Sequence, residues 1–169
     1  NEIAQRKQKY VVVTLTGRCA SELKVNTLHS LLGWYDIYCS NKTLISMPVS
    51  EKTKEKLKGV NWLIIDETSL IGGSLLATIS RRLSFIFSND KSFGGLSILF
   101  LCDFNQLMPV RDIELIADPT CVSDQLTREG ILLFQSCKTT LTLEKSIRQE
   151  SDPVYAKILD NIKNKQVTV

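Results

Sequence analysis

Three short, mainly apolar runs stand out along the chain: Tyr10 to Val13, Leu63 to Ile65, and LSILFL from 96 to 101, the last interrupted by Ser97. Apolar runs of this length, with β-branched residues among them, predict strands covered on both faces, as in a parallel sheet. Between them the period changes. Leu75, Leu76, Ile79, Leu83 and Ile86 recur at helical spacing and predict an amphipathic helix over 73–87. NEIAQRKQ reads as the tail of a polar helix, and TLTG turns the first strand into another helix. Asn26 or Thr27 caps a short helix in TLHSLLGW that stops at Gly33. Residues 35 to 49, with Pro48, read as a surface loop, and EKTKEKLK as a charged helix whose cations face solvent rather than a ligand. NDKSFGG is a turn-rich loop, and residues 104 to 137 show little regularity. Thr139 to Leu143 alternate weakly as a strand, and Val154, Ile158, Leu159 and Ile162 mark a last helix. Strand alternating with helix predicts an α/β fold: three layers around a mostly parallel sheet.

Composition adds limits. The 169 residues make one ordinary domain, 43% hydrophobic and 23% charged, which excludes a disordered chain. A net charge of +3 permits a nucleic-acid partner without arguing for one, because clustering decides binding. No apolar stretch reaches membrane-span length and no signal-peptide pattern opens the chain, so a membrane role is not expected. The first residue is Asn rather than Met, as expected of a piece of a longer product. Five cysteines, none in a C-x-x-C pair, and one histidine, His29, make a zinc site a poor expectation. Cys102 in a strand run and Cys19 at a helix start read as buried free thiols in a reducing compartment.

The chemistry begins where the second strand run ends. LIIDETS places Asp66 and Glu67 at the strand's exit, the edge where open α/β sheets bind ligands. An Asp there suits a magnesium ion beside a nucleoside triphosphate, and the adjacent acid suits activation of an attacking water. The same two residues also suit the N-cap of a helix beginning near Thr68, and the pattern alone does not choose. ILFLCDFNQLMPV repeats the layout of buried strand, acid and amide. Gln106 could donate to a terminal phosphate or its attacking water, or bond loop backbone.

Taken together, four segments resemble the PIF family of DNA helicases, related to the RecD-type enzymes of superfamily one. TGRCASELKVNTLHS is similar to the family's TG-x-AA…T-(I/L)-HS, and LIIDETSL to LIIDE-x-SM. FGGLSILFLCDFNQLMPV is similar to FGG-x-x-(V/I)-L-x-GDF-x-QLPPV, and LEKSIRQESDPVYAKILDNIK to L-x-x-x-(F/Y)RQ-x-D-x-x-F-x-x-x-L-x-x-IR. They occur in family order and span most of residues 14 to 163. The resemblance implies a RecA-like P-loop NTPase motor domain and ATP hydrolysis coupled to 5′-to-3′ movement on single-stranded DNA. It implies that Asp66 binds magnesium, Glu67 activates water and Gln106 senses the γ-phosphate. Arg148, with Gln149 beside it, would steady transition-state charge. Thr16, Gly17, Thr27, His29 and Ser30 would face single-stranded DNA, where hydroxyls and helix-start N–H groups suit phosphate. It also implies an intracellular location, nuclear or mitochondrial in a eukaryote.

Departures qualify the likeness. Cys102 stands at the family's Gly, Met108 at the first Pro of its PP pair, Val25 at a Gly, Leu15 at a Pro and Ile147 at an aromatic. Such drift is expected of a divergent copy, of mobile-element type or under relaxed constraint. The sequence contains no Gly-Lys dipeptide, so the phosphate cradle G-x-x-x-x-G-K-(S/T) is absent. The expectation is therefore a partial first motor domain, residues 1–169, without its N-terminal strand, its phosphate-binding loop or a second motor domain. The alternative is a non-catalytic nucleic-acid-binding remnant.

Overall fold

A computed structural model of the chain describes residues 8–35, 40–143, 147 and 152–163. Four parallel strands form its sheet: β1 (Lys9–Thr14), β2 (Asn26–Thr27), β3 (Val60–Asp66) and β4 (Ser97–Phe100), in the order β2-β1-β3-β4. The register sets Val13 beside Ile65, Thr14 beside Asp66, and Ile65 beside Phe100. The three apolar runs thus end together at one sheet edge. Helices α1 (Gly17–Leu23), α2 (Leu28–Leu32), α3 (Asn41–Ser46), α4 (Glu51–Leu57), α5 (Gly73–Phe87) and α6 (Gln125–Gln135) fill the first compact unit, which ends at Ser136. The α/β parallel-sheet expectation is met.

Local sequence explains most helix starts. Thr16, Thr27, Ser40, Ser50 and Asp124 each accept a backbone N–H three residues on, satisfying a donor the first turn leaves unpaired. Helix α5 starts differently. Its N-cap is Gly72, and its first amides are met from a distance by Asp112, whose carboxylate accepts from Ser74 N, Leu75 N and Ser74 Oγ. Leu76, Ile79 and Leu83 of α5 are buried against Val13, Leu63 and Ile65 of the sheet in one apolar core.

Several expectations need correction. Residues 35–49 contain helix α3, because Ser40 caps it and Leu44 buries itself in the core. Residues 104–137 contain α6, whose Gly130 lies so close to Gly73 of α5 that a Cβ there would sit 1.8 Å from the Gly73 carbonyl. Thr139 to Leu143 form no strand, and Leu141 and Leu143 are exposed. The run 96–101 is not fully buried: Leu99 and Leu101 are 40% and 43% exposed. Among the described residues β4 pairs with β3 alone, so hydrophobicity made the strand but not its cover. Cys102 lies beyond that strand and is exposed, and Cys19 is half-buried. Ile64 of β3 is half-buried while Leu63 and Ile65 are inaccessible.

The second compact unit, Cys137–Val169, holds the last helix, α7 (Pro153–Lys163). Val154, Ile158 and Ile162 recur along it and are exposed. No helix among the described residues is long and apolar enough to cross a membrane.

Candidate functional site

Strand β3 leaves the sheet at Asp66, and Glu67 then takes a left-handed backbone conformation, φ 55° and ψ 39°. This conformation is uncommon for a residue with a side chain and is found where surrounding contacts impose it. The contacts are visible. Glu67 Oε2 accepts from Thr14 Oγ1 and Thr16 Oγ1, both at 3.4 Å, and Oε1 accepts from Cys19 Sγ at 3.2 Å. The turn thus swings the carboxylate across β1 to the start of α1. Asp66 remains in line with the strand, half-buried, with Oδ1 accepting the Glu67 N–H at 3.0 Å.

This geometry bears on the helix-cap alternative. The short 3-10 turn Thr68–Leu70 follows, but Glu67 at its N-cap makes no capping bond with its side chain. Asp66 reaches only the next amide, and Thr68 closes the turn itself by donating to the Ile65 carbonyl at 2.9 Å. The two acids are not a helix cap.

The neighbouring strand supplies the second cluster. Leu101 N donates to Ile65 O, and Thr68 N donates to Leu101 O, both at 2.9 Å, which zips the exits of β3 and β4 together. Asp103 then folds the chain over. Its Oδ1 accepts from Asn105 N and Asn105 Nδ2, and its Oδ2 from Gln106 Nε2 at 3.3 Å. Gln106 is exposed at the same sheet edge as Asp66 and Glu67, its amide braced by Asp103.

The remaining sequence-derived residues fall on α1 and α2. Thr16 and Thr27 serve as N-caps, so the amides of Cys19 and Ser30 are already occupied at 3.3 and 3.2 Å. Gly17 has an ordinary negative φ, and a Cβ there would meet nothing within 4 Å. Neither backbone strain nor packing demands glycine, and the open space lies beside Thr16. Ser30 is exposed. His29 sets its ring edge-on to Trp34, with centroids 5.6 Å apart, and burial holds its pKa below the ordinary 6.5. It is therefore a neutral ring at neutral pH, closer to the structural histidine than to a phosphate-binding cation. Arg148 and Gln149 lie outside the described residues.

Thr14, Cys19, Asp103 and Lys56 take part in this region, although the sequence reading gave none of them a site role of its own. A signal existed for Cys19, which stands where the TG-x-AA pattern has its first Ala. Thr14 is the polar end of an apolar strand, a signal shared by many strand ends. Lys56 reaches Asn26 and Ser30 from α4, and nothing in the repetitive charge of EKTKEKLK marks it out.

A magnesium ion fits this set. Its hard charge prefers one or two carboxylates, completing its shell with water and phosphate. Asp66 offers one half-buried carboxylate with Oδ2 making no hydrogen bond among the described residues. No group of three or more His, Cys, Asp or Glu gathers as a self-sufficient metal cage among those residues.

The comparisons agree with this architecture. The chain is 28% identical over 169 residues to the ATP-dependent DNA helicase RRM3 of Saccharomyces cerevisiae, covering 96% of this chain and 22% of that protein. It is 32% identical to the ATP-dependent DNA helicase PIF1 of Emericella nidulans, covering 92% of this chain and 20% of the relative. The chain thus spans about a fifth of these relatives. Among solved structures, Pif1 helicase from Candida albicans superposes with a TM-score of 0.72 at 25% identity, over 96% of this chain and 35% of that one. A Pif1 helicase from Bacteroides, in complex with ADP-AlF3 and ssDNA, gives 0.66 at 28% identity, over 95% and 37%. The family model for PIF1-like helicases matches residues 1–166, which include the whole sheet, the acid turn and the α1–α2 segment, and the chain belongs to that family.

Proposed function

We propose that residues 1–169 are part of the first RecA-like motor domain of an ATP-dependent DNA helicase that moves 5′-to-3′ on single-stranded DNA. One observation carries the mechanism: Glu67 is hydrogen-bonded to Thr16 and Cys19, at the segment read as facing DNA. A carboxylate that must reach a hydrolytic water is thereby joined to the DNA-facing segment, the kind of link a motor requires. Asp66 would hold magnesium beside the triphosphate, where the ion would neutralise developing phosphate charge. Glu67 would accept a proton from the attacking water, Gln106 would donate to the γ-phosphate, and Arg148 would stabilise transition-state charge. Thr16, Gly17, Thr27, His29 and Ser30 would line the single strand, whose sugar-phosphate chain they can meet without reading bases. The relatives' solved complexes with ADP-AlF3 and ssDNA support both ligands. Such work places the protein with cellular DNA, in the nucleus or mitochondrion of a eukaryote.

The test is ATP turnover in the gene's full product, with and without single-stranded DNA. Glu67→Gln should lower turnover by about 100-fold or more while ATP binding persists, because only proton abstraction is lost. Near-normal turnover in that variant would remove Glu67 from its role. A second reading has its own support: Leu15, Val25, Cys102, Met108 and Ile147 all depart from the family pattern. If the full product binds oligonucleotide but shows no DNA-stimulated turnover, it is a non-catalytic nucleic-acid-binding relative.

A further inference from the structure

Lys56 belongs to the charged helix α4, but its side chain leaves the solvent face. Its Nζ donates to Asn26 Oδ1 at 2.8 Å and to Ser30 Oγ at 3.2 Å, residues 30 and 26 positions away that flank Thr27. Both acceptors are neutral. Lys54, on the same helix, pairs with Glu51 at 2.7 Å, whereas no carboxylate pairs with Lys56 among the described residues. Burial and the nearby Lys52 both press against its charge and hold its pKa below the ordinary 10.5. The cation is partly exposed and has no carboxylate partner among the described residues, a state that favours an external anion.

The donor count says which kind. An ammonium has three N–H donors, and Lys56 spends two. Ser30 Oγ accepts from Lys56 and retains its own hydrogen to give. A single charged donor beside a hydroxyl donor matches the non-bridging oxygens of a phosphodiester, and it carries no pattern for reading a base. The backbone cannot supply this role, because the Ser30 amide is already taken by Thr27 Oγ1 at 3.2 Å. Nor can His29, which is neutral at neutral pH.

We propose that Lys56 is a phosphate-binding residue for single-stranded DNA, delivered by α4 to the exposed hydroxyl of Ser30. The proposal rests on Thr27 to Ser30 facing DNA, and its test separates the two. Fluorescence anisotropy of a labelled oligothymidylate is followed across a salt series for the unaltered chain, Lys56→Gln, Lys56→Arg and Lys54→Gln. Lys56→Gln should weaken binding by roughly tenfold at low salt and flatten the log–log salt slope by about 0.7, the value of one lost phosphate contact. Lys56→Arg should restore the slope, since charge and donors return. Lys54→Gln should match the unaltered chain, and thermal melting checks that Lys56→Gln is folded. Unaltered binding with a silent Lys56→Gln, or an equal loss in Lys54→Gln, overturns this proposal alone. If the unaltered chain does not bind the oligonucleotide at low salt, the DNA-facing assignment of Thr27 to Ser30 falls with it.

Discussion

Arg82 is the side chain on which the packing around the α2 segment depends most. It is inaccessible to solvent and carries four hydrogen bonds to three backbone carbonyls. Nε and Nη2 donate to Leu32 O at 3.1 and 3.0 Å, and Nη1 to Ile45 O at 3.1 Å and to Met47 O. These carbonyls lie at the C-terminal ends of α2 and α3, where helices leave acceptors without partners. Arg82→Met keeps the stem's length and removes every donor. Three stranded carbonyls at roughly 1–2 kcal/mol each give about 3–6 kcal/mol of destabilisation. Relief from burying a guanidinium returns about 1–2 kcal/mol, leaving a loss of ~3 kcal/mol. In a chain of this size that corresponds to a fall in Tm of about 10 °C. Urea unfolding followed by Trp34 fluorescence measures it, since Trp34 is buried beside the same segment and its indole N–H donates to Leu44 O at 2.9 Å. Arg82→Lys should fall between, because one ammonium cannot span all three acceptors. A loss below about 1 kcal/mol in Arg82→Met would show that the carbonyls find other partners and refute the estimate.

Gly130→Ala should force α5 and α6 apart, since its Cβ would lie 1.8 Å from Gly73 O, and should cost ~3 kcal/mol or more in thermal melting. His29 titrates below its ordinary 6.5 because burial disfavours the imidazolium, so protonation favours the unfolded chain. Stability should therefore hold above about pH 7 and fall as pH drops through 6.5, and comparing urea midpoints with His29→Gln isolates this step. The 169-residue chain should bind Mg-ATP only weakly by calorimetry, because it has no Gly-Lys cradle for the β- and γ-phosphates; micromolar affinity would contradict this.

The sequence by itself determined whatever acts over a few residues. Thr16 and Thr27 accept amides three positions on; both helix starts were legible, with Thr27 one of two candidate caps, as was the 3.6-residue period of α5. The motif order likewise gave the family and the sheet edge that bears Asp66, Glu67 and Gln106. Tertiary structure decided the rest, because the deciding contacts join distant segments. Glu67 meets Cys19 across 48 positions, Arg82 meets Leu32 across 50, and Lys56 meets Ser30 across 26. Helix α6 was missed although Asp124 caps it and Ile131, Leu133 and Phe134 turn to the core, because its closest contact with α5 is Gly130 against Gly73, which no side-chain pattern marks. The apolar run 96–101 errs in the opposite direction: β-branched and aromatic residues dictate an extended backbone, but burial depends on what packs beside it. Local pattern sets conformation, and only the assembled sheet sets which charges and edges are covered.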